Sequence, residues 1–355
     1  MSTPPIRLAL IAPPTSTVPP SSLGGLNMVR WLAEGLADRG HQLALIGAHL
    51  GGLVSQSYTV VDTHPTGGHH ATPELVDRLH AEQAGKALEE LANANVVSDH
   101  TESGYLPASS RRVLTAQTIY QPAAPWALQP GAAWPAPPPT ACVAEHVGMV
   151  AVSEHQQRTA LGRPWLDVIH PGIPVAEHPL STEHDGPCVY LGPLQVGHGA
   201  RAALDAAHAA ERPVVLAGTE PGGQVRAYAE VELRPYLGGE DQLLEQVSLS
   251  ERWELLTGAS CLLGLVRYDT PYSLEIVEAM AYGTPVVTMA GTVGAELVTH
   301  GTSGLVLMDR ALLPEAIGKA SRLDPKEIRE RANRFDVAVT VECYEALFRR
   351  LLGSR

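Results

Sequence analysis

Short apolar runs alternate with segments of helical period along most of the chain. Ile6 to Ala12 is a continuous apolar run of strand length, and Gly25 to Arg39 places Leu26, Val29, Leu32, Leu36 and Ala37 at helical spacing. Gly40 supplies a left-handed helix stop, and HQLALIG, from His41 to Gly47, follows as a second buried strand. Further apolar runs at Asn95 to Val97, Arg112 to Ala116, Val147 to Val152 and Asp167 to Ile169 fit more parallel strands. The N-terminal half therefore reads as a doubly wound α/β sheet.

The pattern restarts after a polar, proline-containing stretch from Pro174 to Pro187. There CVYLG (188–192) is a strand and Ala200 to Ala210 an alanine-rich helix. PVVLAG (213–218), a helical stretch from Leu243 to Leu256, the strand CLLGLV (261–266), a helix from Leu274 to Tyr282 and the strand PVVTM (285–289) repeat the alternation. Pro325 to Leu352 is helical by period and is expected to pack back across the boundary. The expected organisation is a Rossmann-like domain over 1–174, a second over 175–334, and a closing helical segment over 335–355 that returns to the first domain. Gln121 to Ala141 is too rich in proline for helix or central strand and is expected to be a long surface loop. Its Trp126 and Trp134 are read as pinning that loop to the body, with a platform for a sugar ring as the alternative.

Composition narrows the function. A chain of 355 residues with 45% apolar and 18% charged residues has material for two buried cores and too little charge for disorder. Its formal charge of -13 supplies no broad positive field for a polyanion, so nucleic acid is not expected as a partner. The run at Ile6 to Ala12 is too short for a signal core, and no apolar stretch reaches membrane-spanning length, so a soluble cytoplasmic protein is expected. Cys142, Cys188, Cys261 and Cys343 lack the close spacing of zinc or redox motifs and read as reduced, mostly buried thiols. His69 and His70 lie in a glycine-rich turn without nearby Cys or Asp, and no metal site is expected.

The stretch SLEIVEAMAYGTPVVTMAG, from Ser273 to Gly291, presents Glu278 on a helix, stops at Gly283 and passes through Thr284 and Pro285 to a buried strand. In this form it resembles the signature of the GT-B glycosyltransferases of family four, the group 1 glycosyltransferases. PPSSLGGLNMVRWLAEGLADRGHQLALIG (19–47) resembles that family's opening loop, helix and second strand. VVSDHTESGYL (96–106), AVSEHQQR (151–158), VIHPGIP (168–174), LVTHGTSGLV (297–306) and FDVAVTVECYEALF (335–348) extend the likeness in order over nearly the whole chain. The resemblance implies an α/β GT-B fold: two facing Rossmann-like domains, a cleft between them, and a C-terminal helix crossing back to the N-terminal domain.

For function, the resemblance implies retaining transfer of a sugar, hexosyl or related, from a nucleotide diphosphate sugar to an unknown small-molecule or glycan acceptor, without a metal ion or other cofactor. Glu278 would hold the nucleotide ribose, Gly24 and Gly25 the diphosphate, and the loop Ala290 to Gly294, with Thr292 and Val293, would turn its backbone to the phosphates. Such transfer places negative charge on the departing diphosphate, so fixed cations are expected around it. The family's Arg and Lys positions hold Pro193 and His198 here. A protonated His198 and Arg201, one helical turn on, are the expected substitutes. The family's first acidic residue, eight positions before Glu278, is Thr270, with Asp269 beside it for the sugar hydroxyls. The family's histidine near residue 115 corresponds to Thr118, and the acidic residue after the hinge Gly-Ile is Pro174. His100 and Ser153 would line the acceptor side. Two alternatives follow from these substitutions: a weakened scaffold that binds a nucleotide, sugar or partner protein without efficient transfer, and an epimerase or hydrolase using Asp99, His100 and Glu102 as acid and base candidates.

Overall fold

A computed structural model describes residues 4–13, 25–48, 50, 55–63, 73–91, 94–101, 114–120, 147–160, 165–218 and 223–353. Gly24, His69, His70, Glu102, Cys142 and the proline-rich stretch 121–141 lie outside the described residues. The chain divides into two units, one built from the residues up to Gly172 together with those from Val337 onward, the other from Ile173–Asp336.

The first unit is a parallel sheet ordered β3-β2-β1-β4-β5-β6-β7. Its strands are β1 (Arg7–Ile11), β2 (Gln42–Ala48), β3 (Thr59–Thr63), β4 (Val96–Asp99), β5 (Leu114–Ile119), β6 (Val147–Ala151) and β7 (Trp165–Val168). In β1 the four residues from Leu8 to Ile11 are all buried, the signature of a parallel strand covered on both faces. One cover is α1 (Gly25–Asp38), which packs Val29, Leu32, Ala33 and Leu36 on the sheet and ends before Gly40, whose φ of 84° only glycine adopts readily. The last helix of the chain, α11 (Val337–Gly353), enters the same core through Val341, Tyr344, Leu347 and Phe348. It crosses α1 at Gly35, where an added Cβ would stand 2.5 Å from Val341 Cγ2. The opposite face is covered by α2 (Pro73–Leu91), with Ala84 and Ala87 against Ala9, Ile11, Ile46 and Val97. A short helix, α3 (Glu154–Thr159), follows β6.

The second unit is a parallel sheet ordered β10-β9-β8-β11-β12-β13. Its strands are β8 (Cys188–Gly192), β9 (Val214–Gly218), β10 (Gln242–Leu244), β11 (Cys261–Gly264), β12 (Val286–Met289) and β13 (Gly304–Leu307). The helices are α4 (Ala200–Ala209), α5 (Gly223–Tyr228), α6 (Leu249–Gly258), α7 (Leu274–Tyr282), α8 (Gly294–Leu297), α9 (Leu313–Ala320) and α10 (Pro325–Ala332). One face of this sheet packs on α4 and α9, through Ala203, Leu204, Ala207, Leu313 and Ile317.

Several elements differ from the sequence expectation. β3 and α2 were not foreseen. The stretch from Leu243 to Leu256 is not one helix: β10 pairs with β9, and α6 begins only at the capping box of Ser248 and Glu251. Pro325 to Leu352 breaks at a 3-10 turn over Asn333–Phe335, so α10 stays with the second unit and α11 returns to the first. The polar stretch after Gly172 is packed on the second unit, with Ile173, Val175, His178 and His184 buried, Ser181 N–H donating to Tyr282 O at 2.8 Å, and Arg329 Nη2 donating to Val175 O at 2.8 Å. Among the described residues, no helix is long and apolar enough to cross a membrane.

Candidate active site

The second sheet reverses its winding between β8 and β11. The chain lays β9 and β10 on one side of β8, then returns to place β11 on the other and continues outward to β13. At such a switch point the connections leaving adjacent strand ends part to opposite faces and open a crevice beyond the C-terminal ends. Its two lips here are the loops 193–199 after β8 and 265–273 after β11, with the loop 290–293 after β12 beside them.

The first lip is tightly held. Tyr190 Oη lies 3.0 Å from Pro193 O and 2.7 Å from His198 O, and His198 N–H closes a turn onto Gln195 O. Gly199, at φ 97°, lets this lip touch the other, because any side chain there would collide with Leu265 O. His198 is half-buried, and its pKa is lowered by burial first and by the positive charge of Arg267 second, with Asp269 opposing. Both effects disfavour the protonated imidazole, and a diphosphate beside it would act in the opposite direction.

On the second lip Arg267 grips Asp269 by two bonds, Nε to Oδ1 at 2.8 Å and Nη2 to Oδ2 at 2.6 Å. Thr270 N–H donates to Arg267 O at 3.2 Å, closing the turn that holds them side by side. Both oxygens of Asp269 are thus engaged by the guanidinium. Arg201 is also committed elsewhere: Nε donates to Asp205 at 2.9 Å, Nη1 donates to Glu232 O at 3.3 Å, and the guanidinium stacks 3.6 Å above the Tyr236 ring. In the third loop Thr292 Oγ1 donates to Met289 O and accepts from Gly294 N–H, while Val293 is buried, so neither side chain faces outward.

Glu278 lies on α7, which leaves the second lip, and it is fully buried. Arg252, from the first turn of α6, donates Nη2 to Glu278 Oε2 at 2.6 Å. The other edge of each group, Glu278 Oε1 and Arg252 Nε, is buried without a hydrogen-bond partner. Burial opposes both charges and the contact favours both. Arg252 keeps its charge, its pKa raised by Glu278 against the burial. The enclosed carboxyl of Glu278 is pushed up to about 7 by burial, with Arg252 pulling it down. Arg252 was not singled out from sequence: it is 26 residues from its partner, and only the packing of α6 on α7 joins them.

Residues 188–322 match the family model described as glycosyl transferases group 1. The matched segment lies within the second unit. No curated protein matches the chain. Its fold is similar to that of AviGT4, a glycosyltransferase involved in avilamycin A biosynthesis, at 22% identity over 99% of each chain with a TM-score of 0.74. Sucrose-phosphate synthase from Thermosynechococcus elongatus is similar at 19% identity over 99% of this chain and 100% of its own, with a TM-score of 0.76. HepE from Anabaena, in complex with UDP and glucose, gives 17% identity over 96% and 98%, with a TM-score of 0.69. The chain has the GT-B fold, with two Rossmann-like α/β units.

The segment matched by the family model contains His198, Asp269, Thr270, Glu278, Thr292, Val293 and Arg201, while the other expected residues belong to the first unit. There His100 is buried between Ser98 Oγ at 2.9 Å and Tyr120 Oη at 2.8 Å, and burial lowers its pKa to about 3. Thr118 Oγ1 bonds Tyr344 Oη at 2.6 Å, and Ser153 Oγ caps α3 by accepting from Gln156 N–H. Each has an internal partner. Asp99 ends β4 with Oδ1 accepting from the N–H and hydroxyl of Thr101, and burial pushes its pKa up to about 6. Gly25 begins α1. Among the described residues, no group of three His, Cys, Asp or Glu could hold a metal ion.

Proposed function

We propose that this protein is a retaining glycosyltransferase that takes a hexosyl or related unit from a nucleotide diphosphate sugar bound in its group 1 domain and passes it to a hydroxyl acceptor, without a metal ion. The observation that carries this reading is Glu278: a buried carboxylate on the helix that leaves the second lip, within the matched segment, with one oxygen left unpartnered. A buried acceptor without a donor costs about 1–3 kcal/mol, and a ribose hydroxyl is a donor that would satisfy it. The neighbouring structures include one with UDP and glucose and one, a starch synthase, with ADP and acarbose, so the fold accepts more than one base. Purified protein, incubated with uridine, guanosine, adenosine and thymidine diphosphate sugars and a panel of sugar acceptors in the presence of a chelator, is expected to release one nucleoside diphosphate. Glu278→Ala is expected to lose that release. No release with any donor would remove the enzymatic reading.

A second reading is favoured by the same pair and by Pro193, Thr118 and Thr270, none of which can carry charge at neutral pH. A domain whose ribose carboxylate is already paired, and whose expected cations are missing, could bind a nucleotide or a partner without transfer. Calorimetry distinguishes the two: nucleoside diphosphate binding with no turnover across the acceptor panel favours the binding scaffold.

A further inference from the structure

We propose that Arg267 is the cation that meets the departing diphosphate, and that Asp269 is its positioning residue. The inference rests on the transferase reading above. Transfer leaves a diphosphate whose growing negative charge must be stabilised by groups already in place. Pro193 cannot supply charge, burial and the charge of Arg267 disfavour a proton on His198, and Arg201 is stacked on Tyr236 and bonded to Asp205. Arg252 is buried against Glu278. Arg267 is the charged donor that the second lip of the crevice keeps in place.

Its geometry suits the task. A guanidinium has five N–H donors, and Asp269 uses one on Nε and one on Nη2, which leaves the Nη1 edge with no acceptor among the described residues. Solvent exposure shows which partner faces outward: the Arg267 side chain is 27% exposed and the Asp269 side chain 13%, so the carboxylate sits behind the cation. The turn closed by Thr270 N–H onto Arg267 O fixes the backbone between them. Across the crevice, Gly199 brings the loop of His198 against Leu265, two residues before Arg267, and the imidazole feels the charges of both Arg267 and Asp269. A diphosphate between the lips could therefore accept from Nη1 of Arg267 without breaking the grip of Asp269. Planar, bidentately anchored arginine is well suited to phosphate recognition, and lysine at this position would hold a point charge without the anchored fork.

The test uses the full-length protein and whichever nucleoside diphosphate it binds among those of uridine, guanosine, adenosine and thymidine, together with the matching nucleoside. Calorimetry on Arg267→Ala is expected to show diphosphate affinity reduced about 10- to 100-fold with nucleoside affinity unchanged, while Glu278→Gln weakens both ligands alike. In turnover, Arg267→Ala is expected to lower kcat by about 10²- to 10³-fold, more than it raises KM, because the charge it meets is greatest as the bond breaks. Arg267→Lys is expected to restore part of the rate, and Asp269→Asn to fall between Lys and Ala without changing nucleoside affinity. Melting temperatures of the three variants within a few degrees of wild type certify folding; if Arg267→Ala melts early, Arg267→Lys and Asp269→Asn carry the test. Diphosphate affinity and kcat unchanged in Arg267→Ala, or in both of the other variants, would overturn the proposal and leave the transferase reading standing. A wild-type protein that binds no nucleoside diphosphate would overturn both.

Discussion

Two buried titratable side chains, Glu278 in the second unit and His100 in the first, pull the pH dependence of stability in opposite directions. The folded carboxyl of Glu278 titrates near 7, above its ordinary value of 4.5, so the folded protein holds a proton that the unfolded chain has released. That contribution is complete below about pH 4.5 and is lost as pH rises through about 7, a change on the order of 3 kcal/mol. Glu278→Gln removes it, so denaturation at pH 5, 6, 7 and 8 should find this variant gaining on wild type as pH rises. His100 behaves the other way. Its folded pKa near 3 lies below the ordinary 6.5, so its contribution is present above 6.5 and lost as pH falls toward 3, by as much as about 5 kcal/mol. His100→Gln, able to bond both Ser98 and Tyr120, should unfold less readily in acid relative to its own neutral stability than wild type does. The sequence made these residues legible only in part. Glu278 could be placed on its helix, because the apolar period of 274–282 and the glycine stop are local signals. Its partner could not, because the contact of Arg252 with Glu278 exists only once α6 and α7 pack. Arg267 and Asp269 stand two apart in the loop after β11, yet nothing in the spacing says that one carboxylate would hold the guanidinium by both oxygens.

At the scale of elements, the long periodic ones were readable and the short ones were not. β10 has three residues at a sheet edge, too few for a pattern of two to stand against the apolar positions of α6, and the two merge into one apparent helix. Pairing across the switch point was equally hidden: Cys188 and Cys261 are partners in adjacent strands with sulfurs 3.9 Å apart, although 73 residues separate them. The crossing of α1 and α11 is a sharper case, since Gly35 reads as an unremarkable residue in a helical period. In the fold it is the gap that admits Val341, and Gly35→Ala would drive a methyl carbon to 2.5 Å from Val341 Cγ2. Overpacking of this kind costs about 1–3 kcal/mol, against which the helical preference for alanine returns up to about 1. Urea denaturation should show Gly35→Ala destabilised, and the double variant Gly35→Ala with Val341→Ala less destabilised than the sum of the two single changes. Simple additivity would mean that the two helices adjust their separation freely.

For the whole molecule, the path of the chain makes the first unit dependent on its last helix. The backbone leaves the first unit at Gly172, completes the second through Asp336 and returns as α11. The alternation of strands and helices announced two α/β units, but the return could be placed only loosely, because a period running through 325–352 does not reveal the 3-10 turn at Asn333–Phe335. That turn matters: α10 before it buries Ile328 and Ala332 and packs on α7, whereas α11 after it gives Val341, Tyr344, Leu347 and Phe348 to the core beneath α1. Four buried side chains at about 2 kcal/mol each come to roughly 8 kcal/mol, comparable to the whole stability of an ordinary domain at about 5–15 kcal/mol. Tyr344 also supplies the hydroxyl that bonds Thr118, so its loss leaves a buried polar group on β5 unpaired. A chain ending at Asp336 is therefore expected to lose hydrogen-exchange protection in β1, β4, β5 and α1 while β8, β11, β12 and α7 keep theirs, since among the described residues the core cluster that packs the second sheet on α4 and α9 contains no residue of α11. Protection lost equally in both sheets would mean that the two units fold as one cooperative body, and protection retained in β1 and β4 would mean that α11 is an accessory to a core sufficient without it.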